Sequence, residues 1–116
     1  MITDNHSITA IQEAVREFRD AREWRQFHSP KNLSMSIAIE AAELMEHFQW
    51  LTTEQATALT QADSPARQAV TEELADVLIY CFSLADIVGC DVAEIIFDKL
   101  SKSAQKYPVE EYRGRF

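Results

Sequence analysis

SPARQAVTEELADVLIYCFSLADIVG, residues 64–89, is the stretch that decides the fold. Ser64 followed by Pro65 is a helix start, because a proline at the first helical position gives up no needed N–H. Gly89 is a stop, and no glycine or further proline interrupts the run between them. On a wheel of about 100° per residue, Val70, Leu74, Val77, Cys81, Leu84 and Val88 make one apolar stripe, while Leu78, Ile79 and Phe82 fall on other faces. A helix apolar nearly all round is buried on all sides. A single chain of 116 residues has little interior for it, so a second subunit is expected, with Ile79 and Phe82 in the contact.

Working outward, the rest of the chain also reads as helices with short connections. Ser7 caps a helix running to about Trp24, with Ile8, Ile11, Val15 and Phe18 as its apolar stripe. A loop follows over residues 25–31. Asn32 caps a second long helix running to about Trp50, Thr53 caps a short one to about Gln61, and Asp91 caps the last, which stops near Lys106 before Pro108. The tail from Val109 to Phe116 is polar. The expectation is an all-α fold, a four-helix antiparallel bundle over residues 1–116 as one domain, oligomeric.

Composition narrows the class. Only two glycines and three prolines occur, too few turn residues for an all-β sandwich. No apolar run reaches the roughly 20 residues needed to span a bilayer, and the first residues lack the pattern of a signal peptide. A cytoplasmic protein without membrane contact is expected. The formal net charge of −8 argues against nucleic-acid polymers, whose binding is driven by cations. Cys81 and Cys90 read as reduced and buried on one helix, too far apart for a disulfide.

The chemistry lies in the acids. Glu40 and Glu43 are spaced i, i+3, as are Glu73 and Asp76 on the 64–89 helix, so each pair shares a helix face. Both pairs fall beside the core stripe of their helix, with Ser36, His47 and Trp50 near the first and Tyr80 and Ser83 near the second. Carboxylates crowded at a core edge repel each other and lose hydration. No lysine or arginine stands at i+4 of any of the four. Taken singly each reads as a solvated surface acid; taken together they read as a metal site. An all-oxygen donor set suits Mg²⁺, or Mn²⁺. The Glu-x-x-His motif of di-iron bundles is absent, and a lone His47 reads as a hydrogen-bonding residue rather than a ligand.

Lys99, Ser103 and Lys106 follow i, i+4, i+7 on the last helix, with Lys102 close by. Alone this is an ordinary basic face near a helix C-terminus. With the acids it becomes a metal-plus-lysine clamp on a polyphosphate. Trp24, Phe27 and His28 after the first helix, Trp50 on the stripe of the glutamates, and Tyr80 one turn beyond Asp76 supply flat rings on which a nucleobase can stack; tryptophans at helix ends also serve simply to cover a core edge.

Glu40-x-x-Glu43 with Glu73-x-x-Asp76 resembles the signature of the MazG-like all-α nucleoside triphosphate pyrophosphohydrolases. Residues 22–33, Phe48-Gln49-Trp50, residues 72–80 and Lys106-Tyr107-Pro108 extend the resemblance to the branch containing dCTP pyrophosphatase, over roughly residues 8–116. Trp24-x-x-Phe27-His28-x-Pro30-Lys31-Asn32-Leu33 is its most specific element. The resemblance implies Mg²⁺-dependent hydrolysis of a nucleoside triphosphate, dCTP or a modified dCTP favoured, to monophosphate and pyrophosphate. It implies Glu40, Glu43, Glu73 and Asp76 as catalytic metal ligands, Trp24, Trp50 and Tyr80 around base and sugar, and Lys99 and Lys106 near the phosphates; His28 and Ser103 are further substrate-binding candidates, Ser103 at a sugar or phosphate contact. It further implies a homodimer or a dimer of dimers, with sites between subunits. Two positions depart from the pattern: Ile39, where many members have a further glutamate, and Ser103, where relatives often have asparagine. Two other readings stand beside this one, a phosphoribosyl-ATP pyrophosphohydrolase-like enzyme and a non-catalytic helical interaction module.

Overall fold

Side-chain caps set most of the helix starts in the computed structural model, which describes residues 7–116. α1 (Ile8–Ala21) begins at Ser7, whose Oγ accepts from the Ala10 N–H at 3.0 Å. α2 (Pro30–Glu46) begins at Ser29 with Pro30 at its first position. Asn32, the expected cap, binds backward instead: its Nδ2 donates to the Phe27 carbonyl at 3.2 Å and ties the preceding turn to the helix. α3 (Thr53–Gln61) is capped by Thr52, one residue earlier than expected: its Oγ1 accepts from the Gln55 N–H, and Gln55 Oε1 accepts from the Thr52 N–H. This reciprocal pair satisfies two orphan donors at once. α4 (Pro65–Val88) starts and stops as read, with Gly89 in the left-handed region at φ 83°. α5 (Val92–Lys106) is capped by Asp91. α6 (Val109–Tyr112) is a short helix in the tail that had read as irregular.

The fold is all-α, with six α-helices among the described residues: four long ones and the short α3 and α6. Two long helices are shorter than expected. α1 stops at Ala21, and Glu23 at φ 53° reverses the chain into a 3₁₀ turn, Trp24–Phe27. α2 stops at Glu46, and residues 47–50 form turns rather than a last helical turn. Cys90 lies past the end of α4, so the two cysteines do not share a helix; both are free and half-buried rather than buried. No helix among the described residues is long and apolar enough to cross a membrane.

α4 is the hub, with α1, α2 and α3 packed against it. Phe82, Ala85 and Val92 form the buried core cluster, with Val15 and Cys90 packed on it. Phe82 thus packs in the chain's own core beneath α1 and the start of α5, and its remaining edge lines an apolar groove between α1, α4 and α5. Of the expected stripe, Val70 is buried, whereas Leu74 and Val88 are exposed. The Cα radius of gyration is 17.3 Å, against about 13 Å for a compact chain of this length.

Charge also joins α1 to α4. Asp86 Oδ1 accepts from Arg16 Nε at 2.7 Å, and Asp86 Oδ2 stands 2.7 Å from Arg19 Nη1. Arg19 is the largest fully buried side chain, at 1% exposure.

Candidate functional site

The i, i+3 spacing places Glu40 on α2 and Glu73 and Asp76 on α4, and the packing of those helices brings the three together. One carboxylate oxygen from each lies within 4.8 Å of the others. Glu43, expected in the same set, is exposed and stands outside this tight triad, yet close enough to hydrogen-bond with Glu40 and Glu73. Glu73 Oε1 is buried with no hydrogen-bond partner. A buried acceptor left unsatisfied is costly, and in a cluster of oxygen donors with no paired cation a hard divalent ion resolves it.

The electrostatics agree. Hydrogen bonding with Glu73, then burial, holds the Glu40 carboxyl above the ordinary glutamate range; charge on Glu73 and Asp76 adds to this, while contact with Glu43 opposes it. Hydrogen bonding and charge from Glu40 likewise raise Glu43, against a lowering contact from Glu73. At Asp86 burial pushes the carboxyl up, but the hydrogen bonds and charges of Arg16 and Arg19 together outweigh it, and the group titrates below the ordinary range.

These opposite shifts give the metal-free protein a two-limbed pH profile. A carboxyl raised in the folded state binds protons more tightly folded than unfolded, so stability should rise as pH falls from neutral toward the unfolded glutamate pKa of about 4.3. A carboxyl lowered in the folded state loses its contribution as pH falls below the unfolded aspartate pKa of about 3.9. Thermal melts between pH 7 and 3 should therefore pass through a maximum. Glu40→Gln should flatten the upper limb and Asp86→Asn the lower.

Beside the triad lies a cavity of about 230 Å³ lined by Val15, Phe18, Arg19, Trp24, His28, Asp76, Ile79, Tyr80 and Ser83. Asp76 belongs to both features. Trp24 is set edge-on to Phe18, ring centroids 5.8 Å apart, and His28 edge-on to Tyr80 at 6.4 Å. Arg22 lies 3.7 Å from the Phe18 ring centroid and donates to the Phe18 carbonyl at 2.9 Å, holding the end of α1 against the Trp24 turn. Burial, then the Arg19 charge, lowers the His28 pKa, and a neutral imidazole offers one donor and one acceptor.

Three of the aromatic expectations thus converge: Trp24, His28 and Tyr80. Trp50 does not join them; it is 86% exposed and lines none of the cavities described. Lys99 and Lys106 are exposed, Ser103 is half-buried, and among the described residues neither lysine forms an ion pair with the carboxylates. Lys106 instead stands 5.3 Å from the Tyr107 ring centroid. Sequence reading did not single out Phe18, Arg19 or Ser83 as cavity residues. Ser83 was visible on the stripe of Glu73 and Asp76, and Phe18 on that of α1. Arg19 carried no signal beyond a charge in an amphipathic helix.

Known proteins share both the sequence pattern and the fold. The MazG-like family model matches residues 35–115. The dCTP pyrophosphatase 1 of Bos taurus is 40% identical over 105 residues, covering 90% of this chain and 61% of that protein. The Rattus norvegicus protein of the same name is 41% identical with the same coverage. The chain thus spans 61% of the length of these curated relatives. A crystal structure of a pyrophosphatase from Archaeoglobus fulgidus superposes with a TM-score of 0.79 at 38% identity, over 93% of this chain and 99% of that one.

Proposed function

The chain belongs to the MazG-like family, and from that premise we propose that it hydrolyses a deoxynucleoside triphosphate, with dCTP or a modified dCTP favoured, to the monophosphate and pyrophosphate. The observation that carries this reading is Asp76, which belongs at once to an oxygen-only carboxylate triad and to the wall of a ring-lined cavity. A polyphosphate at the triad would have its nucleoside beside Trp24, His28 and Tyr80.

In this reading Glu40, Glu73 and Asp76 hold Mg²⁺ or Mn²⁺, with Glu43 completing the donor set. Such an ion, when bound, would neutralise phosphate charge and lower the pKa of water. The chain's own residues do the rest. Glu40, ionised beside the ion, takes the proton of the attacking water at a carboxylate oxygen. Tyr80 and Trp24 orient the base, and His28 offers it a neutral donor–acceptor edge. One water is consumed, one P–O–P bridge is broken, and monophosphate and pyrophosphate leave.

Lys99, Ser103 and Lys106 are proposed as phosphate contacts supplied by a second copy in a dimer or dimer of dimers; among the described residues neither lysine pairs with the carboxylates of its own chain. The exposed apolar groove of α1, α4 and α5 supports such assembly.

The decisive experiment is a panel of dNTPs and NTPs with Mg²⁺, following pyrophosphate and monophosphate. Release of inorganic phosphate alone, or no turnover of any nucleotide, overturns the proposal. The cavity makes a finer prediction. Trp24→Ala should raise KM about tenfold or more with Mg²⁺ dependence kept, because one base–aromatic stack is worth about 1–3 kcal/mol and 1.4 kcal/mol is tenfold. Trp50→Ala should have a comparable effect only if assembly carries Trp50 to the base. An unchanged KM in Trp24→Ala would make that ring a packing residue.

A further inference from the structure

Neither the metal cluster nor the stacked rings account for the buried arginine of α1. The Arg19 side chain is 2% exposed; its Nη1 is 2.7 Å from Asp86 Oδ2, and its Nε and Nη2 are each 2.9 Å from Asp20 Oδ1. Taking two charges out of water is costly, and a well-packed apolar pair of similar volume often holds two helices together at least as firmly. What the ion pair adds is direction. The Nε–Nη2 edge of the guanidinium faces Asp20 on its own helix while Nη1 reaches Asp86 on α4, so a rigid planar group anchored on α1 sets how that helix stands against α4.

The pair sits where such a constraint matters. Arg19 lines the ring-walled cavity and stands just before α1 ends at Ala21. The chain then reverses at Glu23 and delivers Trp24 and His28, one wall of the cavity. Asp86 lies on α4 one turn beyond Ser83, and Ser83, Tyr80 and Asp76 form the facing wall. Arg19 Nη1 and Nη2 are themselves out of reach of water, so a ligand in the cavity would meet the walls and not these nitrogens.

We propose that Arg19 is a positioning residue: its ion pair with Asp86 fixes the spacing of the two walls of the nucleoside cavity, and so sets affinity for the base. The inference rests on assigning that cavity to the base, as above. Arg16, 45% exposed in its side chain, bonds the other oxygen of Asp86 and so also ties α1 to α4, but it does not line the cavity; Arg16→Met is therefore the control for the loss of that outer pair and should leave KM unchanged.

The test is steady-state kinetics on the preferred dNTP together with thermal melting, using the full chain. Arg19→Met combined with Asp86→Leu replaces the pair by apolar groups. The double variant should melt near or above the wild type, with KM raised about tenfold, kcat within twofold and the same Mg²⁺ dependence. Asp86→Glu keeps both charges but lengthens the link by one methylene; it should raise KM at least threefold, and it decides the matter if the double variant does not fold. Wild-type KM in either folded variant makes the pair structural only and overturns the proposal. If the wild type turns over no nucleotide, the base assignment fails and this inference falls with it. Turnover by the wild type with unchanged KM in the variants sinks the positioning role alone.

Discussion

Glu40→Gln should reduce turnover by at least about 100-fold while leaving the protein as stable as before, or more so. The amide keeps the shape of the carboxylate but removes one negative charge from three acids whose oxygens lie within 4.8 Å of one another. In the metal-free protein that charge is a liability: Glu73 and burial already push Glu40 toward its protonated form, so a permanently neutral group relieves repulsion. In the proposed mechanism the same charge is required twice, to hold a divalent ion and to accept a proton from water. Loss of an outer-shell partner of a metal ligand typically costs about 10–100-fold, and loss of a ligand should cost more. Pyrophosphate release measures the first effect and a thermal melt the second. Mg²⁺ should raise the melting temperature of the wild type and have little effect on the variant. A variant that melts far below wild type would make Glu40 a structural residue.

The acidic triad was legible in the sequence because helix periodicity alone puts Glu40 on one face of α2, and Glu73 with Asp76 on one face of α4. That both faces meet required only that α2 pack on α4 along their apolar stripes. The caps were legible for a similar reason, since Ser7, Ser64 and Asp91 act within one turn of their own helix. Ser29-Pro30 carried the same signal as Ser64-Pro65, and the polar Asn32 just beyond it competed as a cap. Contacts between distant elements were less legible. A wheel gives the angle of Phe82 about α4 but not that α1 and the start of α5 bury most of it within the chain, leaving only an edge in the groove between those helices. Arg19 looked like any charged residue of an amphipathic helix, because its partner Asp86 lies on α4. The aromatic cluster was half-legible: the reversal at Glu23 brings Trp24 and His28 onto α4, whereas the turns after Glu46 leave Trp50 in solvent.

Leu78→Glu should break the assembly, and activity should fall with it. Leu78 is 48% exposed and lines a groove of about 610 Å³ with Ile8, Ile11, Ile79, Ile95 and Ile96. The groove runs between α1, α4 and α5, and its isoleucines are between 37% and 50% exposed. An exposed apolar surface of this kind is what the proposed assembly would cover. In a two-fold dimer every substitution appears on both sides, so the variant places two unpaired carboxylates in the contact. Leaving each without a partner costs several kcal/mol, and a loss of only about 3 kcal/mol weakens association more than 100-fold. Light scattering should report a shift toward the mass of one chain. Turnover should fall in parallel if, as proposed, a second copy supplies the basic face of α5 to the site. Leu78→Met, which keeps the surface apolar, should retain both mass and activity. A Leu78→Glu protein that is monomeric and fully active would show that one copy holds the whole site, and that the lysines of α5 are ordinary solvated charges.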